Sequence, residues 1–284
     1  MNGTTTAQLA EKTAKAVTGS VEEWTGFLQS AARLYKYSYP EQLLIYAQRP
    51  DATACASYEI WNQTMRRYVR RGARGIALPD GAGAVRYVFD VADTGARKSS
   101  REVKTWALDE NNREAVAHAL ETQYGSAAKL GIAGQLEEIA MQQSMDYWQW
   151  HQDELRGIVD GSFLEGYDEL NLEIAFRNTA AASVKYMLLS RCNLAREHQI
   201  EPEELAGVLE WNTSAASGAL GSAISELSEG VLRQIERTIR QYERSQNHDE
   251  RTDVHEERRV LDSRSDSSRT TDGAEQIRTD AGMV

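Results

Sequence analysis

YKYSYPEQLLIYAQRPDATACASYEIWNQTMRRYVRRGARGIALPDGAGAVRYVFDV, from Tyr35 to Val91, changes its hydrophobic period partway along. Its first part reads as helix. Pro40 suits a first helical position, because its missing N–H costs nothing there, and Leu43, Leu44 and Ala47 form the inward face. The helix stops before Pro50, since the residue preceding a proline is pushed out of the helical region. A short helical segment follows through Tyr58, Ile60 and Trp61. Then RYV (Arg67–Val69), GIAL (Gly75–Leu78) and AVRYVFDV (Ala84–Val91) alternate as strands do. The last of these puts Val85, Tyr87, Phe89 and Val91 on one face and Arg86, Val88 and Asp90 on the other. Pro79, Asp80, Gly81 and Gly83 supply a turn between strands. The stretch therefore predicts a small α+β unit.

Its charge is as distinctive as its period. Between Arg33 and Arg101 lie twelve basic and six acidic residues, a net of +6 in a chain of −11. The remainder has 20 basic against 37 acidic residues, a net of −17. A sign reversal of that size predicts different partners for the two parts.

Outward from this stretch, residues 1–19 are polar, rich in Thr and Ala, and read as disordered. Ser20 with Glu23 forms a capping box ahead of Trp24, Phe27, Leu28, Ala31 and Tyr35 at helical spacing. Past a polar connector the chain turns helical. One stripe (Ala115, Val116, Ala119, Leu120) ends at Gly125, and a second carries Leu130, Ala133, Leu136, Ile139 and Ala140 into the aromatic residues Tyr147, Trp148 and Trp150. A long helix spans about Asp168 to Cys192, and a further one opens at Pro202 and closes at Trp211. The last two helices are read over Ser214–Leu227 and Gly230–Gln246. Beyond Ser245 the apolar periodicity disappears, and that composition predicts disorder. The domain reading is thus 1–19 disordered, 20–100 α+β, 101–245 all-α and 246–284 a disordered tail.

Several chemistries find no support. Apolar runs such as Leu43–Ala47 are far below the roughly 20 residues that cross a bilayer, and the N-terminus has no secretory signal pattern, so a cytoplasmic protein without membrane association is expected. Cys55 and Cys192 lack metal or redox spacing and read as small apolar side chains. His255-Glu256-Glu257 starts like a metalloprotease helix, but Arg259 stands where the second histidine belongs. No phosphate-cradling glycine loop or nucleophile elbow is present. The expectation is a protein without catalytic residues, metal or cofactor.

What remains is a basic and aromatic cluster. Arg66, Arg67, Arg70, Arg71 and Arg74 interleave with Tyr58, Trp61 and Tyr68, and Tyr35, Lys36, Tyr37 and Arg49 form a looser group upstream. Single-stranded nucleic acid suits this pairing, with guanidinium groups along phosphates and rings stacked on bases. On an extended segment Arg66, Tyr68 and Arg70 share one face, with Val69 on the other. Residue types leave a second reading open, in which these arginines pair with the chain's own carboxylates and the rings fill its core.

The segment from Tyr35 to Leu78 resembles the N-terminal domain of ArdC-type antirestriction proteins, in the form that begins large helicase/methylase-like proteins of conjugative elements. The resemblance rests on Gln-Leu-Leu-Ile-Tyr-Ala (Gln42–Ala47), Trp61, and the Val-x-x-Gly-x-x-Gly-Ile turn (Val69, Gly72, Gly75, Ile76). FLEGYDELN (Phe163–Asn171), SVKYMLLSRC (Ser183–Cys192) and ALGSAISELSEGVLRQI (Ala219–Ile235) are similar to the helical region that follows, so about Val21 to Arg244 is covered. It implies a mixed α/β module that binds single-stranded DNA. The metalloprotease-like HExxH of some ArdC-type proteins has no counterpart, and the helicase and methylase regions do not follow. This predicts a truncated relative or a binding module kept alone.

The sequence reading is therefore a non-enzymatic, single-strand-preferring DNA-binding module of a mobile genetic element, serving antirestriction or the protection of DNA in conjugative transfer beside helicase or relaxase machinery. Two rivals stand beside it. One is a protein-directed inhibitor of a host defence nuclease, a restriction or CRISPR effector, acting through the acidic helices. The other is a scaffold fragment of a larger helicase/methylase.

Overall fold

The computed structural model describes residues 2–81, 83–195 and 200–269. It is a mixed α+β protein, mostly helical, with a small antiparallel sheet. Helices α1 (Gly3–Val17), α2 (Val21–Arg33) and α3 (Tyr39–Gln48) come first. Five short strands follow: β1 (Cys55–Ser57), β2 (Tyr68–Val69), β3 (Ile76–Pro79), β4 (Val85–Asp90) and β5 (Thr94–Gly95). The chain then runs through α4 (Arg113–Tyr124), α5 (Gly131–Gly157), α6 (Glu169–Arg191), α7 (Pro202–Leu205) and α8 (Ser214–Arg269). Two compact units divide it: Met1–Thr238, and Ile239–Val284, whose described part is the continuation of α8.

The strands make two sheets. One has the order β1-β4-β3, with Cys55 opposite Asp90 and Ile76 opposite Val88; the other is the β2–β5 ribbon. The inner face of β4 is the one carrying the charges. Val88 and Asp90 are each 1% exposed, whereas Tyr87 is 46% exposed. Asp90 tolerates burial because Oδ1 accepts the backbone N–H groups of Thr53 (2.7 Å) and Ala54 (2.9 Å), and Oδ2 accepts that of Ala92. Leu34, Leu44, Ile45, Ala52, Ile76, Leu78 and Val88 form the core between helices and sheet.

The regions expected as separate domains pack into the single unit Met1–Thr238. Helix α2 lies on α6, where the buried Trp24 Nε1 donates to Ser183 Oγ (3.0 Å). Phe27 meets Tyr39 edge-on, centroids 5.7 Å apart, a geometry worth about 0.5–1.5 kcal/mol beyond the area it buries. Tyr39 in turn lies across Gly221 of α8, where an added Cβ would fall 2.2 Å from the ring. Within the helical part, α5 packs along α6, and Phe176 sits 5.8 Å from both Trp148 and Trp211.

Some expectations are corrected. Residues 3–17 are helical, not disordered. Asn2 caps the helix by accepting the Thr5 N–H, and the hydroxyls of Thr6 and Thr13 bond back to the Gly3 and Leu9 carbonyls, so polar residues can be buried against the core. The two helices read at Ser214–Leu227 and Gly230–Gln246 are one. Gly230 weakens a helix interior by about 1 kcal/mol, and burial of Ser228, Val231, Leu232 and Ile235 around it offsets that. Helix α8 also continues to Arg269 through much of the tail read as disordered, and residues 270–284 of that tail lie outside the described residues. The aromatic residues of α5 divide: Trp148 is buried and Trp150 is 84% exposed. Cys192 is buried and Cys55 half-buried, both free thiols pushed up to about 12 by burial. Among the described residues no helix is long and apolar enough to cross a membrane.

Candidate nucleic-acid interface

The upstream group is largely engaged inside the fold. Tyr35 is 3% exposed; its hydroxyl donates to Glu236 Oε2 (2.5 Å) and accepts from Trp106 Nε1 (3.1 Å). Burial, and then the hydrogen bond to Glu236, raise its pKa well above the ordinary value. Lys36 pairs with the same carboxylate at 2.6 Å. Tyr37 donates to the Cys55 carbonyl (2.8 Å), and burial raises its pKa as well. Arg49 pairs with Asp93 (2.6 Å) and, more loosely, with Asp51 (3.4 Å). Trp61 is 3% exposed, and its Nε1 donates to the Phe89 carbonyl at 2.8 Å. Tyr35 and Trp61 thus serve as packing residues in place of the stacking role expected of them. Arg86 is similarly paired with Glu41.

The downstream arginines have a different environment. Tyr68 pairs with Gly95 and Val69 with Thr94, and the Arg70 N–H extends the ladder to the Asp93 carbonyl (2.8 Å). Gly95 is needed at this position. A Cβ there would lie 2.3 Å from Tyr68 Cζ, so its absence lets the ring cross β5 while remaining 42% exposed. Arg67 Nε donates to the buried Thr94 Oγ1 (2.8 Å), which holds that arginine against the ribbon. The extended face expected for Arg66, Tyr68 and Arg70 is corrected at Arg66, whose φ of 54° is left-handed. A non-glycine residue there costs of the order of 1 kcal/mol, offset here by the Arg67 N–H to Trp61 O (2.8 Å) and Ser100 Oγ to Arg66 O (2.7 Å) bonds that flank it.

Those bonds also bring in residues that the sequence reading left out of the site. Ser100 Oγ accepts the Arg97 N–H (2.6 Å), and the Arg101 N–H donates to the Met65 carbonyl (2.9 Å), so residues 97–101 are tied beside Arg66. Arg97 lies over the Tyr68 ring, 5.6 Å from its centroid. Tyr87 rests against Gly75, at the end of the turn bearing Arg70, Arg71 and Arg74. The candidate interface thus groups Arg66, Arg67, Arg70, Arg71, Arg74, Arg97, Lys98 and Arg101, on the β2–β5 ribbon and the segments flanking it, with two exposed rings, Tyr68 and Tyr87. Among the described residues none of these cations forms an ion pair. Strand alternation had set Tyr87 apart from the Val88 face, but Arg97, Lys98 and Arg101 join the site through pairing between residues some 30 positions apart.

Such a surface can neutralise phosphates in series and offer ring faces to unpaired bases. Among the described residues no group of three or more His, Cys, Asp or Glu side chains could hold a metal ion. Compared with family models, curated proteins and solved structures, the chain has no significant match.

Proposed function

We propose that this chain is a non-enzymatic module that binds nucleic acid through the β2–β5 ribbon, with a preference for single-stranded DNA. One observation carries the reading: the ribbon gathers unpaired cations about Tyr68 and Tyr87, while Glu41, Asp51 and Asp93, three nearby carboxylates, are taken by Arg86 and Arg49. Exposed rings favour single strands, because a duplex keeps its base faces stacked and out of reach. The resemblance to ArdC-type domains supports a role in a mobile genetic element, in antirestriction or in guarding DNA during transfer. Fluorescence anisotropy with a labelled oligonucleotide, alone and annealed to its complement, tests the reading. Tighter binding of the single strand is the expected result, and equal or tighter binding of the duplex removes the strand preference.

A second reading has an observation of its own. A groove of about 450 Å³ along α5, α6 and α7 is lined by Glu137, Glu203, Glu204 and Glu210, with Lys185 bridging Glu137 (2.9 Å) and Glu204 (3.1 Å). An acidic groove suits a basic surface on a partner protein such as a defence nuclease. Inhibition of a purified nuclease that survives removal of the ribbon arginines would favour this reading over DNA binding.

A further inference from the structure

Half of the large apolar side chains that stay exposed among the described residues belong to one region: Met141, Phe163, Tyr167, Leu170, Ile174 and Leu209. Tyr167 Oη donates to Glu210 Oε1 (2.9 Å) and the Phe163 N–H to Asn212 Oδ1 (3.0 Å), so the loop between α5 and α6 is tied to the turn Ala206–Glu210 that carries Leu209. Helix α6 leaves that loop with Leu170 (65% exposed) and Ile174 (44% exposed) one turn apart. Their ridge continues through Asn178 and Ala182 into the acidic groove, where Met141 stands on the α5 side. Phe176, on the opposite side of α6, is fully buried, so this ridge is the face of α6 left uncovered. Ala175, Ala181, Ala182 and Gly207 line the groove with small side chains, which lets another helix approach to the usual axial separation of about 8–10 Å. From Leu170 to Lys185 the face runs about 22 Å.

An exposed apolar patch rimmed by polar residues marks an interaction surface, and the charge of this one restricts what can cover it. Glu137, Glu203, Glu204 and Glu210 line the groove against a single cation, Lys185. That lysine is already shared between Glu137 and Glu204, and Glu203 forms no ion pair among the described residues. A second copy docked through the same face would set glutamate against glutamate, and an anionic membrane or a nucleic acid would meet the same repulsion. We propose that the groove holds an amphipathic α-helix of a partner protein. Its apolar residues, three and four apart, seat on Leu170 and Ile174, and lysines or arginines along its edges face the glutamates. This deepens the second reading above and rests on its view of the groove as a docking face, but it requires neither a nuclease nor DNA binding by the ribbon.

Fluorescence anisotropy of the full chain with three labelled peptides of about 18 residues, long enough to cover the face, tests this. One is an amphipathic helix of leucine and lysine, the next has the same composition with its leucines scattered around the helix, and the last carries serine in place of leucine. The expected result is binding of the amphipathic peptide at least about tenfold tighter than either control, a ratio of about 1.4 kcal/mol. Leu170→Ser/Ile174→Ser, at two exposed positions, should remove that margin while the circular dichroism stays that of the parent. Glu203→Lys should weaken the amphipathic peptide several-fold, and Arg71→Ala should change nothing. Three peptides bound alike, and all weakened by Glu203→Lys, would show a groove that reads charge alone, which overturns the helix and keeps the docking face; no binding of any peptide would remove both. A margin that survives Leu170→Ser/Ile174→Ser would overturn the proposal, as would a dimer of the parent in sedimentation that this double variant dissolves.

Discussion

Two clusters of basic and aromatic residues, close in composition and about 30 residues apart, have opposite fates. In the first, Tyr35, Lys36 and Arg49 find Glu236, Asp93 and Asp51, and the tyrosine is buried. In the second, Arg66 to Arg74 form no ion pair among the described residues, and the ribbon ties the segment of Arg97, Lys98 and Arg101 beside Arg66 instead. The difference lies in what tertiary pairing brings near. A cation beside a carboxylate becomes part of the scaffold, whereas a cation on a ribbon edge among like charges stays available to an anion from outside.

Removing a buried ring that only packs should damage the fold and spare binding. Trp61→Ala removes a fully packed ring and the hydrogen bond to Phe89 O, and urea melts should register a loss of about 3–5 kcal/mol. The DNA affinity of the protein that remains folded should not change; a lost affinity without lost stability would return Trp61 to the binding surface.

Next in size is Tyr68→Ala, which should cost about 1–3 kcal/mol of binding to a single strand, the worth of one stacked base, with little change in melting temperature. Anisotropy at fixed salt measures the first quantity and circular dichroism the second. A stability loss as large as that of Trp61→Ala would show that Tyr68 belongs to the scaffold.

The buried tyrosines predict a pH response. The pKa values of Tyr35 and Tyr37 are raised above the ordinary 10.0, chiefly by burial, so the folded state keeps protons that the unfolded chain releases. Their contribution is complete below about pH 10 and is lost as pH rises toward the folded values. Denaturant melts from pH 8 to pH 11 should show stability falling above pH 10, less steeply in Tyr35→Phe. A flat profile would mean that neither phenol is held as described.

The smallest effect is the most diagnostic of the ribbon. Arg71→Ala should leave stability within about 0.5 kcal/mol of the parent, as surface substitutions do. It should flatten the dependence of log K on log salt by about 0.7. Arg49→Ala should do the reverse, lowering stability and leaving the slope alone.

Much of this architecture was legible from residue patterns. The capping Ser20, the stop before Pro50, the strand alternation of Val85–Asp90 and the long helix after Asp168 are local signals, and local physics decided them. Helix α1 is not legible from residue type because its threonines read as polar, when their hydroxyls are satisfied within the helix. The break that Gly230 suggests is absent from α8, since packing overrides the glycine. The composition of the interface was visible, but its membership was not. Residue type gives Tyr35 and Trp61 a stacking role, but their partners at Glu236 and Phe89 are remote in sequence, and Arg97 reads as part of a connector because the pairing of β5 with β2 is not a local signal.

The central claim, that the ribbon and not the upstream cluster meets DNA, is tested most directly by the salt dependence of single-strand affinity. The measurement compares the parent, Arg70→Gln/Arg71→Gln and Arg49→Gln. With about four phosphates neutralised, the parent slope should be roughly −3, the double variant should be shallower by somewhat over one unit, and Arg49→Gln should match the parent. A parent that shows no salt dependence, or a double variant whose slope equals the parent's, would contradict it.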